Sequence, residues 1–96
     1  MAVYLIVEAK EVMDKQQYGE YIRNVPQTIE RYGGKYCARG GRVTSISGDW
    51  NPARIIIVEF ESMNAFDLWW NSPEYKSVAP LREQSAKVNA IVVEGV

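Results

Sequence analysis

Apolar residues run almost without interruption from Ala2 to Ala9, which predicts a strand. The period then changes. Tyr18, Tyr21, Ile22, Val25, Ile29 and Tyr32 recur at intervals that make one apolar helical stripe, with Asp14 as the N-cap ahead of it. Pro26 falls inside that stripe and predicts a kink, because it has no N–H to bond back one turn. Gly33-Gly34 ends the helix. Lys35 to Arg39 reads as a strand, Gly40-Gly41 breaks it with a bulge or bend, and Arg42 to Ser47 resumes it. Gly48 to Pro52 has the composition of a turn. Arg54 to Phe60 gives the strongest strand signal, centred on Ile55-Ile56-Ile57-Val58. Ser62 caps a second helix that carries Met63, Phe66, Trp69 and Trp70. Ser72-Pro73-Glu74 is a fresh helix start, followed by Tyr75, Val78, Ala79 and Leu81. Val88 to Glu94 closes the chain as a strand.

The order β-α-β-β-α-β, with short connections and right-handed crossovers, predicts an α+β fold of ferredoxin-like type. Four antiparallel strands would form one sheet with the helices on one face, as a single domain over residues 1–96. We read the first and third strands as parallel neighbours. A sheet covered on one side should alternate apolar and polar residues. These strands do not: Tyr4 and Ile6 oppose Val3, Leu5 and Val7, and Ile55 and Ile57 oppose Ile56, Val58 and Phe60. Ile91 and Val93 likewise oppose Ala90 and Val92. The second apolar face predicts a contact surface, and pairing sheet to sheet with a second copy would cover it.

Composition narrows the chemistry. The chain has 96 residues, a net charge of −1 and basic residues that are scattered, which leaves no footprint for nucleic acid or for an anionic membrane. No segment is long enough to span a bilayer, and the start of the chain lacks the basic end of a secretion signal. The single cysteine, Cys37, cannot form an internal disulfide, so a reducing, cytoplasmic setting is expected, with Cys37 as a small buried apolar residue. There is no histidine. That removes Ser-His-Asp and Cys-His catalysis, histidine metal ligands and a proximal histidine for haem. Nothing in the sequence calls for a metal or a cofactor.

Several short runs together carry a family resemblance: Tyr32-Gly33-Gly34-Lys35-Tyr36, Ala38-Arg39-Gly40-Gly41, Gly48-Asp49-Trp50, Ile57-Val58-Glu59-Phe60, Ser72-Pro73-Glu74-Tyr75 and Leu81-Arg82. In this succession, over nearly the whole chain, the sequence resembles a bacterial family known as domain of unknown function 1330. The resemblance implies a dimeric α/β barrel, two ferredoxin-like units packed sheet against sheet. The wider group it resembles includes cofactor-independent monooxygenases, isomerases, haem enzymes and ligand-binding regulatory domains, so the fold does not fix the function.

Five residues are singled out for chemistry. Glu59 and Glu8 each sit near the end of a central strand, on its second apolar face by parity; read as parallel neighbours, the two carboxylates would share one end of the sheet, where one of a close pair can act as acid or base. Solvation, or pairing with arginine, is the plainer reading. Counting from a turn with Ser47 opposite Arg54 puts Glu59 opposite Arg42, and a bulge at Gly40-Gly41 shifts it toward Arg39. Either arginine suits a carboxylate, from Glu59 or from a ligand. Trp50 in its turn caps the core or the dimer edge, or lines a pocket mouth. Trp69 and Trp70 are adjacent, so one of them faces away from the core. Tyr75 and Arg82 are two helical turns apart on one face, a phenol and a guanidinium suited to an anion or to anchoring the helix. The expected function is a dimer that binds a small organic ligand, anionic or aromatic, between sheet and helices. Arg39, Glu59, Trp50, Tyr75 and Arg82 would line that cleft, and Glu59 would supply any acid–base chemistry. The alternative is a non-catalytic structural or interaction dimer.

Overall fold

The computed structural model describes residues 1–96. The elements are β1 (Val3–Val12), α1 (Lys15–Arg31), β2 (Lys35–Arg39), β3 (Ile55–Phe60), α2 (Met63–Trp70), α3 (Pro73–Ser85) and β4 (Ala86–Glu94). They build one sheet in the order β2-β3-β1-β4. This is a ferredoxin-like α+β fold, an antiparallel sheet with its three helices on one face.

Local chemistry sets the helix boundaries. The Asp14 carboxylate accepts the Gln17 N–H at 3.1 Å, Ser62 Oγ that of Ala65 at 3.1 Å, and Ser72 Oγ that of Tyr75 at 3.0 Å. α1 continues through Pro26 as one element and stops at Tyr32, where Gly33 turns left-handed with φ +79°.

Every strand pair is antiparallel, and this corrects the parallel reading of β1 and β3. The crossover through α1 brings β2 back parallel to β1 but one strand away. The β2–β3 hairpin then inserts β3 between them, antiparallel to both. Glu8 and Glu59 consequently lie at opposite ends: Tyr4 stands across from Glu59, and Glu8 across from Ile55. The β2–β3 ladder also ends earlier than expected. Its last rung is the Gly40 N–H donating to the Ile55 carbonyl at 3.1 Å, and Arg42 to Ser47 form no strand. Glu59 pairs in register with Lys35, not with Arg42 or Arg39.

One face of the sheet packs on the helices. Val3, Leu5, Val58 and Phe60 meet Val25, Ile29, Phe66, Trp69 and Tyr75 in the main core. Gly34 lies where α1 turns back over this layer. A Cβ there would fall 2.9 Å from the Phe60 ring and closer still to Ile29. Gly34→Ala is therefore expected to destabilise the protein by about 2 kcal/mol through overpacking, read as a lower urea midpoint with an unchanged slope. A midpoint equal to the parent's would mean that this corner is slack.

The opposite face is uncovered. Ile6 is flanked by Ile57 and Ile91, Tyr4 by Glu59 and Val93, and Glu8 by Ile55 and Asn89. Ile91 is 62% exposed and Val93 45%. An apolar centre with a polar edge is thus laid out across three strands.

Candidate functional site

The helix-covered face does not close completely. Between sheet and helices lies a cleft with an enclosed volume of about 80 Å³, partly open to solvent. Leu5, Val7, Ile56, Val88 and Ala90 form its floor, and Tyr18, Tyr21, Val25 and Trp70 are among the residues of its walls. Three charges enter it, Arg39, Arg54 and Arg82, and no carboxylate lines it.

Each arginine reaches the cleft for a local reason. Strand parity from Tyr36 would send Arg39 to the other face, since the two are three residues apart. The β2–β3 register slips between Tyr36 and Ala38, so Tyr36 faces Val58 and Arg39 faces Ile56, both on the helix side. The bulge re-aims Arg39. The bulge falls at Cys37, ahead of the expected Gly40-Gly41 position, and leaves Cys37 exposed rather than buried, because the extra residue of an edge strand has nothing to pack against. Arg39 Cζ then sits 4.7 Å from the centre of the Tyr36 ring, a cation over an aromatic face. Arg54 precedes β3 and shares the parity of Ile56, Val58 and Phe60. Its Nε is buried and has no hydrogen-bond partner. No carboxylate pairs with Arg39 or Arg54; the ion pairs of the chain involve Arg31, Arg82 and Lys87.

Arg82 comes from the last turn of α3. Its Nε donates to the Tyr75 hydroxyl at 3.3 Å, and that hydroxyl lies 3.2 Å from the Tyr21 hydroxyl. Burial opposes the charge of Arg82, but the neighbouring phenols and Glu83 outweigh it and hold its pKa above the ordinary value. Burial first, and the Tyr75 contact second, push the Tyr21 phenol far above its ordinary range, so it stays a neutral donor. Burial also raises Tyr36, and Arg39 and Arg54 act against that rise. The polar equipment is therefore guanidinium and neutral phenol. Such groups hold an anionic or carbonyl oxygen; they do not abstract a proton at neutral pH.

Of the residues singled out in the sequence, Arg39, Tyr75 and Arg82 line this cleft. Glu59 and Trp50 do not. Glu59 has the wrong parity: with Ile55 and Ile57 it faces the uncovered side of the sheet. Trp50 is 59% exposed in the long β2–β3 connection, where its carbonyl accepts from Ser45 Oγ at 3.0 Å. Arg54, Tyr18, Tyr21 and Tyr36 were not singled out as ligand contacts. The signal for Arg54 was available: it is two residues before Ile56, on the cleft side of β3. Trp69 is the buried member of its pair, while Trp70, 40% exposed, stacks on Tyr75 with centroids 5.1 Å apart. No group of three or more Cys, Asp or Glu side chains converges to hold a metal ion, and no helix is long and apolar enough to cross a membrane.

Comparison with solved structures identifies the fold. A protein of unknown function from Rhodopseudomonas palustris matches with a TM-score of 0.78 at 19% identity, over 99% of this chain and 82% of that one. A dimeric ferredoxin-like protein of unknown function from Jannaschia sp. CCS1 matches with a TM-score of 0.79 at 10% identity, over 99% of this chain and 100% of its own. SnoaB, a cofactor-independent oxygenase from Streptomyces nogalater, matches with a TM-score of 0.63 at 8% identity, over 99% and 91%. At these identities the likeness is one of fold. No curated protein matches the chain. The family is shown directly: with a match over residues 2–96, the chain belongs to the domain of unknown function family DUF1330.

Proposed function

We propose that this chain is a homodimeric binding protein whose cleft takes a small organic anion with a flat apolar body. The observation that carries this reading is the pairing of an apolar, aromatic-walled cleft with three arginines and no carboxylate. Ligand sites are typically apolar with a few convergent polar groups, and here those groups share one sign. An unpaired guanidinium beside a buried surface is unfavourable in the empty protein, and an anion would relieve it. Any chemistry in the cleft would use the Tyr21–Tyr75–Arg82 chain to hold an oxyanion, because Glu59 faces the other side of the sheet. The homodimer is supported by the uncovered apolar face, and a structural relative from Jannaschia is itself dimeric.

Isothermal titration with 2-naphthoate and its neutral analogue 2-naphthamide tests the reading. The carboxylate is expected to bind at least about tenfold more tightly, the worth of one charge-assisted hydrogen bond. Glu59→Gln should leave both affinities unchanged. Equal affinities for acid and amide, or no binding of either, would defeat the proposal.

A further inference from the structure

Gly40 and Arg54 are shaped around each other. Gly40 has φ +72°, a left-handed conformation that a side chain disfavours, and its N–H closes the last rung of the β2–β3 ladder on Ile55. A Cβ added to Gly40 would stand 2.8 Å from Arg54 Cζ and nearer still to Nη1. The guanidinium fills the space that any other residue at position 40 would take. Gly41 differs in both respects: its φ is not left-handed, and a Cβ there would meet nothing within 4 Å.

The guanidinium so placed has no protein partner. Its Nε is orphaned in a buried position, and no carboxylate reaches it. Arg39, carried to the same side by the bulge, is solvent-exposed, lacks a carboxylate partner and stands over Tyr36. Both arginines line the same cleft, and Arg39 pairs with Ile56, two residues along β3 from Arg54 and on the same side of the sheet. A purely structural arginine would be expected to find an acceptor for a buried donor, since an unmade hydrogen bond is costly. Two unpaired guanidiniums brought together by two separate backbone devices suit a ligand oxyanion better.

We propose that Arg54 and Arg39 form the carboxylate seat of the cleft, and that Gly40 is the positioning residue that lets the Arg54 guanidinium occupy it. The ligand class is then a monocarboxylate on an aromatic-sized apolar body, seated at the β2–β3 edge and not on Arg82. This rests on the reading of the cleft as an organic-anion site.

The test is titration of 2-naphthoate and 2-naphthamide into the parent protein, Arg54→Met, Gly40→Ala and Gly41→Ala. Arg54→Met and Gly40→Ala should each weaken naphthoate about ten- to a hundredfold while naphthamide changes by less than about threefold. Gly41→Ala should alter neither. Arg54→Met leaves the backbone untouched, so it reports even if Gly40→Ala folds poorly. If the parent prefers the acid and Arg54→Met keeps that preference, the seat is elsewhere, and the anion-binding cleft stands without it. If Arg54→Met weakens acid and amide alike, the arginine is structural and the seat is overturned. If Gly40→Ala binds as the parent does, its positioning role is overturned. If the parent itself shows no preference, seat and cleft reading fall together.

Discussion

Replacing Trp69 with alanine is expected to lower the stability of the protein by about 4 kcal/mol, among the largest losses a single substitution can cause here. Trp69 is 2% exposed. Its ring lies between Phe60, at 5.5 Å, and Tyr75, at 4.3 Å between centroids, with Phe66 beside it at 5.9 Å. Its indole N–H donates to Thr28 Oγ1 at 3.0 Å and so ties α2 to α1. Removing the ring leaves a cavity in the only layer where α1, α2, α3 and β3 meet. A domain of this size has a total stability of about 5–15 kcal/mol, so the variant should be partly unfolded on modest warming. Trp70→Ala removes a ring of the same size from a position that is 40% exposed, and should cost clearly less. Urea unfolding followed by far-UV circular dichroism separates the two. A Trp69→Ala loss no larger than that of Trp70→Ala would show that the aromatic cluster does not hold the helices to the sheet. The substitution also reaches the cleft, because Tyr75 packs on Trp69 and holds the hydrogen bonds to Tyr21 and Arg82.

Where the period of the sequence is regular, it reads directly into the fold. Asp14, Ser62 and Ser72 cap the helices as their side chains predict, and Ser72-Pro73 marks the break that separates α2 from α3. The two apolar faces of β1, β3 and β4 are visible by parity alone. Tyr75 and Arg82, two turns apart, meet through a hydrogen bond. What the sequence conceals is phase. Parity arguments hold only while each residue advances the strand by one step, and the bulge at Cys37 adds a residue without advancing the pairing. The bulge shifts the pairing of Glu59 by only one residue, to Lys35, and leaves Cys37 exposed; the larger part of its distance from Arg42 comes from the turn, because the ladder ends with Arg39 opposite Ile56 and Ser47 never stands opposite Arg54. The long connection from Gly41 to Arg54 has a second cause. Its Val43 and Ile46 resemble strand residues, but β3 begins only at Ile55, whose carbonyl already accepts from Gly40, so residues beyond Gly40 find no further rung of β3 to extend the β2 hairpin on. Glu59 shows a third limit. A carboxylate on an apolar strand draws attention as chemistry, yet the question of which face it occupies needs only a count from Phe60, and that count puts it away from the cleft.

That same face yields the second large effect: Ile57→Asp should convert the protein from dimer to monomer while leaving the fold of each chain intact. Ile57 stands beside Ile6, which in turn stands beside Ile91, so the substitution strikes the middle of the uncovered apolar row. In an isolated chain the new carboxylate projects from a face that no helix covers, where water can solvate it, and the cost to folding is small. In a sheet-to-sheet dimer the same carboxylate would be buried without a partner. A two-fold axis would bury a second copy of it in the same interface. Burying one unpaired charge costs several kcal/mol, and two exceed what a modest interface can offset. Native mass spectrometry should show the parent at twice the chain mass of 10.9 kDa and Ile57→Asp at the single-chain mass, with circular dichroism spectra that superimpose. Glu94→Lys, at the end of β4 and outside the apolar row, should remain dimeric. A parent protein that is monomeric at micromolar concentration would refute the pairing through this face. A dimeric Ile57→Asp would move the interface to another surface, because no sheet-to-sheet packing could bury that row and tolerate the charge. The first result would also bear on the cleft, which lies on the opposite side of the same sheet: strands held from one face by a partner and from the other by helices leave Arg39, Arg54 and Arg82 on a rigid floor, and their geometry toward an anion would loosen if the partner were lost.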